Sequence, residues 1–147
     1  MTTVFVVRHA EKVVDGTPDP VLSTAGVAHA ARYASLFAVP GSGQRLAAVY
    51  ATEFRRTQQT AEAVARPLGL RVQLSPADNP TALVTHIKRY HRGASVLVVG
   101  HSNTVPEVIR ALGGRQVAPF ADTDYGRLYV VSVGLFSRTT VTELALP

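Results

Sequence analysis

Two apolar runs of the same kind each end on a histidine. Val4-Phe5-Val6-Val7 leads into Arg8-His9, and Val96-Leu97-Val98-Val99 leads into Gly100-His101. Both runs are rich in β-branched residues and apolar throughout, which predicts strands covered on both faces, as in a parallel sheet. In an open α/β sheet, ligands bind outside the carboxyl ends of the strands. If the two strands are neighbours, His9, His101 and Arg8 share one crevice.

The chain between and beyond these strands alternates in type. Val4 to Val7 is the first strand. After the turn-rich loop Asp15-Gly16-Thr17-Pro18-Asp19-Pro20, Ser23 reads as an N-cap. A helix follows over Thr24 to Phe37, with Ala28, Ala31 and Ala34 on its inner side and Pro40-Gly41-Ser42-Gly43 as its stop. Leu46 to Tyr50 is the second strand. Thr52 is positioned to cap the next helix, whose inner face is Ala61, Val64, Ala65 and Leu68 and whose end is Gly69. Arg71 to Leu74 is a short third strand, and Asp78-Asn79-Pro80 opens a helix with Leu83, Val84, Ile87 and Tyr90 facing the core. Ser95 to Val99 is the fourth strand. The helix after His101 carries Val105, Val108, Ile109 and Leu112 and stops at Gly113-Gly114. Leu128 to Val133 and Thr139 to Leu144 form a hairpin through Gly134. This order predicts an α/β three-layer sandwich: a mainly parallel central sheet with an antiparallel edge strand and helices on both faces.

At 147 residues the chain is expected to form a single domain over 1–147. It has no cysteine, which excludes disulfides, thiolate zinc sites and a cysteine nucleophile and suits a cytoplasmic protein. The N-terminus enters a strand directly, so no secretory signal is expected, and no run approaches the ~18 apolar residues of a membrane span. The net charge of +5 comes almost wholly from arginine. It is read as surface composition or as fit to an anionic substrate, not as a nucleic-acid or membrane partner.

The residues at the strand ends suit one kind of ligand. Arg8 and His9 follow the first strand, Arg56 sits in the first turn of the helix after the second, and His101 precedes a helix N-terminus, where backbone N–H groups favour an anion. Guanidinium groups hold phosphate bidentately and keep their charge. Such a pocket matches the charge spread over the oxygens in phosphoryl transfer. A histidine can also be the nucleophile, provided its attacking nitrogen is neutral and the other nitrogen has an acceptor, expected to be a backbone carbonyl. No acidic cluster accompanies His9 and His101, so no metal is expected there; a phosphoryl transfer carried by a histidine needs no organic cofactor, and none is expected. His29, His86 and His91 are read as surface or satisfied core residues. His86 and His91, five apart, do not share a helix face.

Four motifs in order make the chain resemble the histidine phosphatase superfamily, also called phosphoglycerate mutase-like. They are Arg8-His9-Ala10-Glu11, Leu22-Ser23-Thr24-Ala25-Gly26, the stretch Thr52 to Ala61 around Arg56-Thr57, and Gly100-His101-Ser102-Asn103. The resemblance implies that His9 is the phosphorylated nucleophile and that Arg8, Arg56 and His101 complete the phosphate pocket. It chooses Arg56 over Arg55. Ser102 and Asn103 are expected to cap the last helix and to line the substrate site, and Tyr125 lies within possible reach of it. Ala10 replaces the motif glycine, which a negative φ tolerates. Asp15 stands where mutases carry an asparagine, and is expected to point away from phosphate.

With little room for a lid, the chain looks like the compact, SixA-like phosphohistidine phosphatases. Many relatives use a carboxylic acid to protonate the leaving oxygen. Asp78 and Glu11 are the candidates carried forward and Glu53 a further alternative, while a phosphoramidate leaving group needs no acid. The implied activity is hydrolysis of a phosphomonoester or phosphoramidate on a small molecule or a phosphoprotein. A mutase-type phosphotransferase and a non-catalytic phospho-ligand binding module are the alternatives. The oligomeric state is not legible.

Overall fold

The computed structural model describes residues 1–38, 45–134 and 138–145. The elements are β1 (Thr2–Arg8), α1 (Thr24–Phe37), β2 (Leu46–Ala51), α2 (Arg55–Ala65) running into a 3₁₀ turn (Arg66–Leu68), β3 (Val72–Leu74), α3 (Pro80–Tyr90), β4 (Ser95–Gly100), α4 (Thr104–Ala111), β5 (Arg127–Val133) and β6 (Thr140–Ala145). They build a six-stranded sheet in the order β3-β2-β4-β1-β5-β6. β3, β2, β4 and β1 pair in parallel, β5 runs antiparallel to β1, and β6 antiparallel to β5. The α/β sandwich expected from the element order is the one observed, with two strands in the antiparallel part.

β1 and β4 are neighbours, which is the condition the shared crevice requires. Val4 pairs with Val96, Val7 with Val99 and Arg8 with Gly100. The His9 N–H then donates to the Gly100 carbonyl at 2.9 Å, so the two chains leave the sheet side by side.

Strand alternation divides the core in two. Val4, Val6, Val96 and Val98 pack with Leu83, Val84 and Ile87 of α3 and Val105, Val108 and Ile109 of α4. Phe5, Val7, Leu97 and Val99 pack on the other face with Ala30 and Tyr33 of α1 and Ala61, Val64 and Ala65 of α2. Each fully buried branched side chain contributes roughly 1.5–3 kcal/mol, so the β1–β4 pair at the middle of both cores is the firmest base on which to mount a site.

Several local expectations are corrected. Spacing placed Ala28 and Ala31 on the inner side of α1, but both are exposed, and Gly26, His29, Ala30 and Tyr33 are buried. The cause is Gly26, where a Cβ would collide with the Glu11 carbonyl oxygen. That close approach sets the helix rotation and turns the 26, 29, 30, 33 stripe inward. Ser23 caps α1 as expected, accepting from the Gly26 N–H.

Tyr90 is exposed, not part of the core. His91, one turn beyond Ile87, takes the inward place and meets the Tyr50 hydroxyl at 2.7 Å through Nε2. His91 lies past the end of α3, so helix-face spacing does not separate it from His86. The two rings are 6.1 Å apart. The predicted stop at Pro40 to Gly43 and the turn of the β5–β6 hairpin beyond Gly134 lie outside the described residues.

Candidate active site

The carboxyl ends of β1 and β4 and the start of α2 bring Arg8, His9, Arg56 and His101 together. His9 is 3% exposed. Its Nδ1 donates to the Ala10 carbonyl at 2.7 Å, and its Nε2 receives the Arg56 Nε–H at 3.3 Å. A carbonyl can only accept, so Nδ1 carries the proton, and Nε2 accepts from Arg56 only as a lone pair. Both contacts specify one state, neutral His9 with its free nitrogen toward Arg56. Burial pushes His9 down from 6.5 to about 3, with His101, Arg8 and Arg56 adding positive field and the Ala10 carbonyl opposing.

Ala10 is itself held. Its N–H donates to Thr60 Oγ1 at 3.0 Å, and Thr60 Oγ1 donates to the Arg56 carbonyl at 2.8 Å. One threonine thus ties the end of β1 to the first turn of α2, which fixes the distance between His9 and Arg56. No described non-glycine residue has a positive φ, so Ala10 replaces the motif glycine without strain.

Arg8 faces two ways. Its NH1 donates to the carbonyls of Ala121, Asp122 and Asp124 at 3.2, 3.1 and 3.0 Å, and its guanidinium lies 4.0 Å from the Tyr125 ring centroid. Its Nε is buried and unpaired among the described residues. Tyr125, placed within possible reach by the sequence, stands edge-on to His9 with ring centroids 6.1 Å apart. The three loop carbonyls, more than a hundred residues from Arg8, had no signal in the sequence.

His101 lies edge-on to His9, with centroids 5.4 Å apart, and to Phe54 at 5.2 Å. Its Nε2 is 2.9 Å from Thr52 Oγ1, which in turn is 2.7 Å from Thr57 Oγ1. Burial lowers His101 from 6.5 to about 4; Arg56 and Arg8 lower it further and Glu53 opposes them. Thr52 therefore does not cap α2. Phe54 occupies the N-cap position without a side-chain bond, and the Arg55 N–H is taken by Asp19 at 2.9 Å from the preceding loop. Thr52, Thr57 and Thr60 all stand in the motif stretch, Thr52 read there as a helix cap; their bonds to His101, to one another and to Ala10 had no signal in the sequence.

The remaining candidates disperse. The Glu11 carboxylate sits 2.8 Å from His29 Nδ1, which satisfies both and turns Glu11 toward α1. Asp78 is exposed in a turn and makes no cap; Asn79 caps α3, accepting from the Ala82 N–H at 3.2 Å. Glu53 is the carboxylate whose charge acts on His101, and it accepts from the Ala77 N–H at 3.0 Å. Asn103 occupies the N-cap position of α4 without capping it. Thr104 Oγ1 accepts from the His101 N–H at 2.8 Å, the N–H groups of Thr104 and Val105 donate to the His101 carbonyl, and Ser102 contributes its carbonyl to the Phe120 N–H. Asp15 accepts from the N–H and hydroxyl of Thr17 in an exposed turn of its own. No group of three or more potential metal ligands occurs among the described residues, and no described helix is long and apolar enough to cross a membrane.

Residues 4–77 match the family model of the histidine phosphatase superfamily (branch 1). The fold is similar to that of the protein histidine phosphatase SixA complexed with tungstate, at 21% identity over 97% of this chain and 96% of that one, with a TM-score of 0.76. It is similar to a mycobacterial glucosyl-3-phosphoglycerate phosphatase at 14% identity, 99% of each chain and a TM-score of 0.74. It also resembles phosphoserine phosphatase from Entamoeba histolytica in complex with 3-phosphoglyceric acid, at 14% identity over 100% and 98%, with a TM-score of 0.73. No curated protein matches the chain.

Proposed function

Because the chain belongs to the histidine phosphatase superfamily and is a histidine-dependent phosphatase, we propose that it hydrolyses a phosphomonoester or phosphoramidate through a covalent phosphohistidine on His9. The observation that carries this reading is the state of His9. A histidine buried beside two arginines is kept neutral, with its proton on Nδ1 and its Nε2 lone pair free to attack.

The bond from Nε2 to phosphorus forms as the bond to the leaving atom breaks. The ring becomes cationic, and the Ala10 carbonyl on Nδ1–H stabilises that charge. Arg56 moves its donor from Nε2 to the phosphoryl oxygens, joined by the unpaired Nε–H of Arg8. A buried donor without an acceptor is costly, and an oxyanion satisfies it. Ser102 and Asn103, at the start of α4, would border the substrate. Water then takes the phosphoryl group, and His9 returns to its starting state. The tungstate held by SixA is a tetrahedral oxyanion of the same kind.

A phosphoramidate such as a protein phosphohistidine is the favoured substrate. The reason is the fate of the carboxylates: Glu11 is paired with His29, Asp78 is exposed in a turn, and Glu53 is held by the Ala77 N–H. An alkoxide leaving group needs a positioned acid, whereas a phosphohistidine protonated on its distal nitrogen leaves as neutral imidazole. The likeness to SixA, a protein histidine phosphatase, runs the same way.

Phosphate release from p-nitrophenyl phosphate, phosphosugars, phospho-amino acids and a phosphohistidine protein tests both parts. His9→Ala is expected to keep its circular dichroism spectrum and lose turnover together with the acid-labile, base-stable phosphoenzyme. Near-wild-type turnover by His9→Ala ends the proposed route. Faster release from alkyl phosphates than from the phosphohistidine protein overturns the substrate preference and makes Glu53 the acid. Dependence on 2,3-bisphosphoglycerate would favour the mutase.

A further inference from the structure

Resting on that reading of the pocket, we propose that Thr52 and Thr57 are positioning residues: they hold His101 as its Nε2–H tautomer, so that His101 becomes a donor to the bound phosphoryl group only by taking up a proton at Nδ1.

The argument is a count of protons along a hydroxyl chain. Thr57 Oγ1 lies 2.9 Å from the Phe54 carbonyl and 3.2 Å from the Thr52 carbonyl. Carbonyls only accept, so the single Thr57 hydroxyl proton is committed to them. The 2.7 Å contact between Thr52 Oγ1 and Thr57 Oγ1 must then be Thr52 donating. With its own proton used, Thr52 can only accept at its 2.9 Å contact with His101 Nε2, so Nε2 bears a proton. The orientation starts at a backbone carbonyl and is passed through two buried hydroxyls to the imidazole. Nδ1 has no hydrogen bond among the described residues and, in the neutral ring, presents a lone pair.

The charged and titratable groups facing His101 are Arg8 and His9 from the end of β1, Arg56 from α2 and Glu53 before it. Burial first, and then two guanidinium groups against one carboxylate, keep the ring of the free protein neutral. A phosphate dianion reverses that balance, since a lone pair facing an anionic oxygen is repulsive and an N–H attracts it. A monoanion can supply the proton itself: its P–O–H bond breaks, a bond from hydrogen to Nδ1 forms, and a dianion faces an imidazolium whose Nε2–H still rests on Thr52. A dianion draws the proton from solvent.

The test reads the tautomer first, in the free protein, by two-bond ¹H–¹⁵N correlation of ¹⁵N-histidine-labelled wild type, Thr52→Val, Thr52→Ser and Thr57→Val. Nε2–H is expected in wild type and Thr52→Ser, with a shift toward Nδ1–H in both valine variants. Calorimetry with inorganic phosphate in buffers of different ionisation enthalpy then reads proton linkage. Wild type and Thr52→Ser are expected to take up about one proton per phosphate at about pH 8, and Thr52→Val distinctly less. The kcat of Thr52→Val should fall by about tenfold and be rescued by serine. An Nδ1–H tautomer in wild type overturns the proposal. So does proton uptake that is the same in all four proteins. Failure of wild type to turn over p-nitrophenyl phosphate removes the phosphatase reading and leaves the tautomer, measured without ligand, to decide this one.

Discussion

Acid should unfold this protein through its own candidate active site. His9 and His101 both sit far below the ordinary histidine value of 6.5, at about 3 and about 4, with burial the leading cause. Between these values and 6.5 the unfolded chain binds a proton at each position and the folded chain does not. Stability therefore rises with pH in that window and is lost as pH falls through it. Integrated from about pH 7 to about pH 5, each histidine contributes a loss of about 2 kcal/mol, and the pair about 4 kcal/mol. That is a large part of the 5–15 kcal/mol typical of a domain.

Urea unfolding at the two pH values measures the loss, and His9→Asn isolates one share of it. The difference between wild type and variant cancels the other histidines and the carboxylates. The pH-dependent loss in His9→Asn should be smaller than in wild type by about 2 kcal/mol. An unchanged pH dependence in both His9→Asn and His101→Asn would refute the reasoning, as would a His9 imidazole that titrates near 6.5 by NMR. Bound phosphate should work against the loss, because an anion in the pocket favours the charged rings.

Gly26→Ala should destabilise by at least 1–3 kcal/mol, roughly, because the new Cβ meets the Glu11 carbonyl and a backbone must move; a thermal midpoint equal to wild type would show that α1 can rotate freely. Thr60→Val leaves the buried Ala10 N–H without its acceptor, costing about 1–3 kcal/mol and lowering kcat, while Thr60→Ser restores both. Arg8→Lys keeps a charge but cannot satisfy three loop carbonyls and stack on Tyr125 at once; inorganic phosphate should bind at least about tenfold more weakly and the loop at Ala121 to Tyr125 should lose amide protection. Retained affinity in Arg8→Lys would mean the carbonyl fork is incidental.

Local sequence carried the elements and the chemistry of the crevice. Val4 to Val7 and Val96 to Val99 are apolar at every position, so both faces had to be covered, and each ends where a polar Arg-His or Gly-His pair cannot continue the core. The helix signals were equally local: Ser23 as cap, Pro80 at a helix start, and the stripe Val105, Val108, Ile109 and Leu112. What tertiary structure decided is which of these parts meet. β4 lies against β1, so the two histidines leave the sheet side by side. Gly26 against the Glu11 carbonyl overrode the alanine spacing of α1 and brought His29 to Glu11, removing a candidate acid from the pocket. Thr52, read as a cap, is a partner of His101, because α2 starts only at Arg55 and leaves Thr52 two residues before the N-cap position, which Phe54 holds. The division has one physical reason. Hydrophobic periodicity and capping are properties of neighbouring residues, whereas a hydrogen-bond partner is chosen by whichever group packing leaves within reach, and that group can lie more than a hundred residues away.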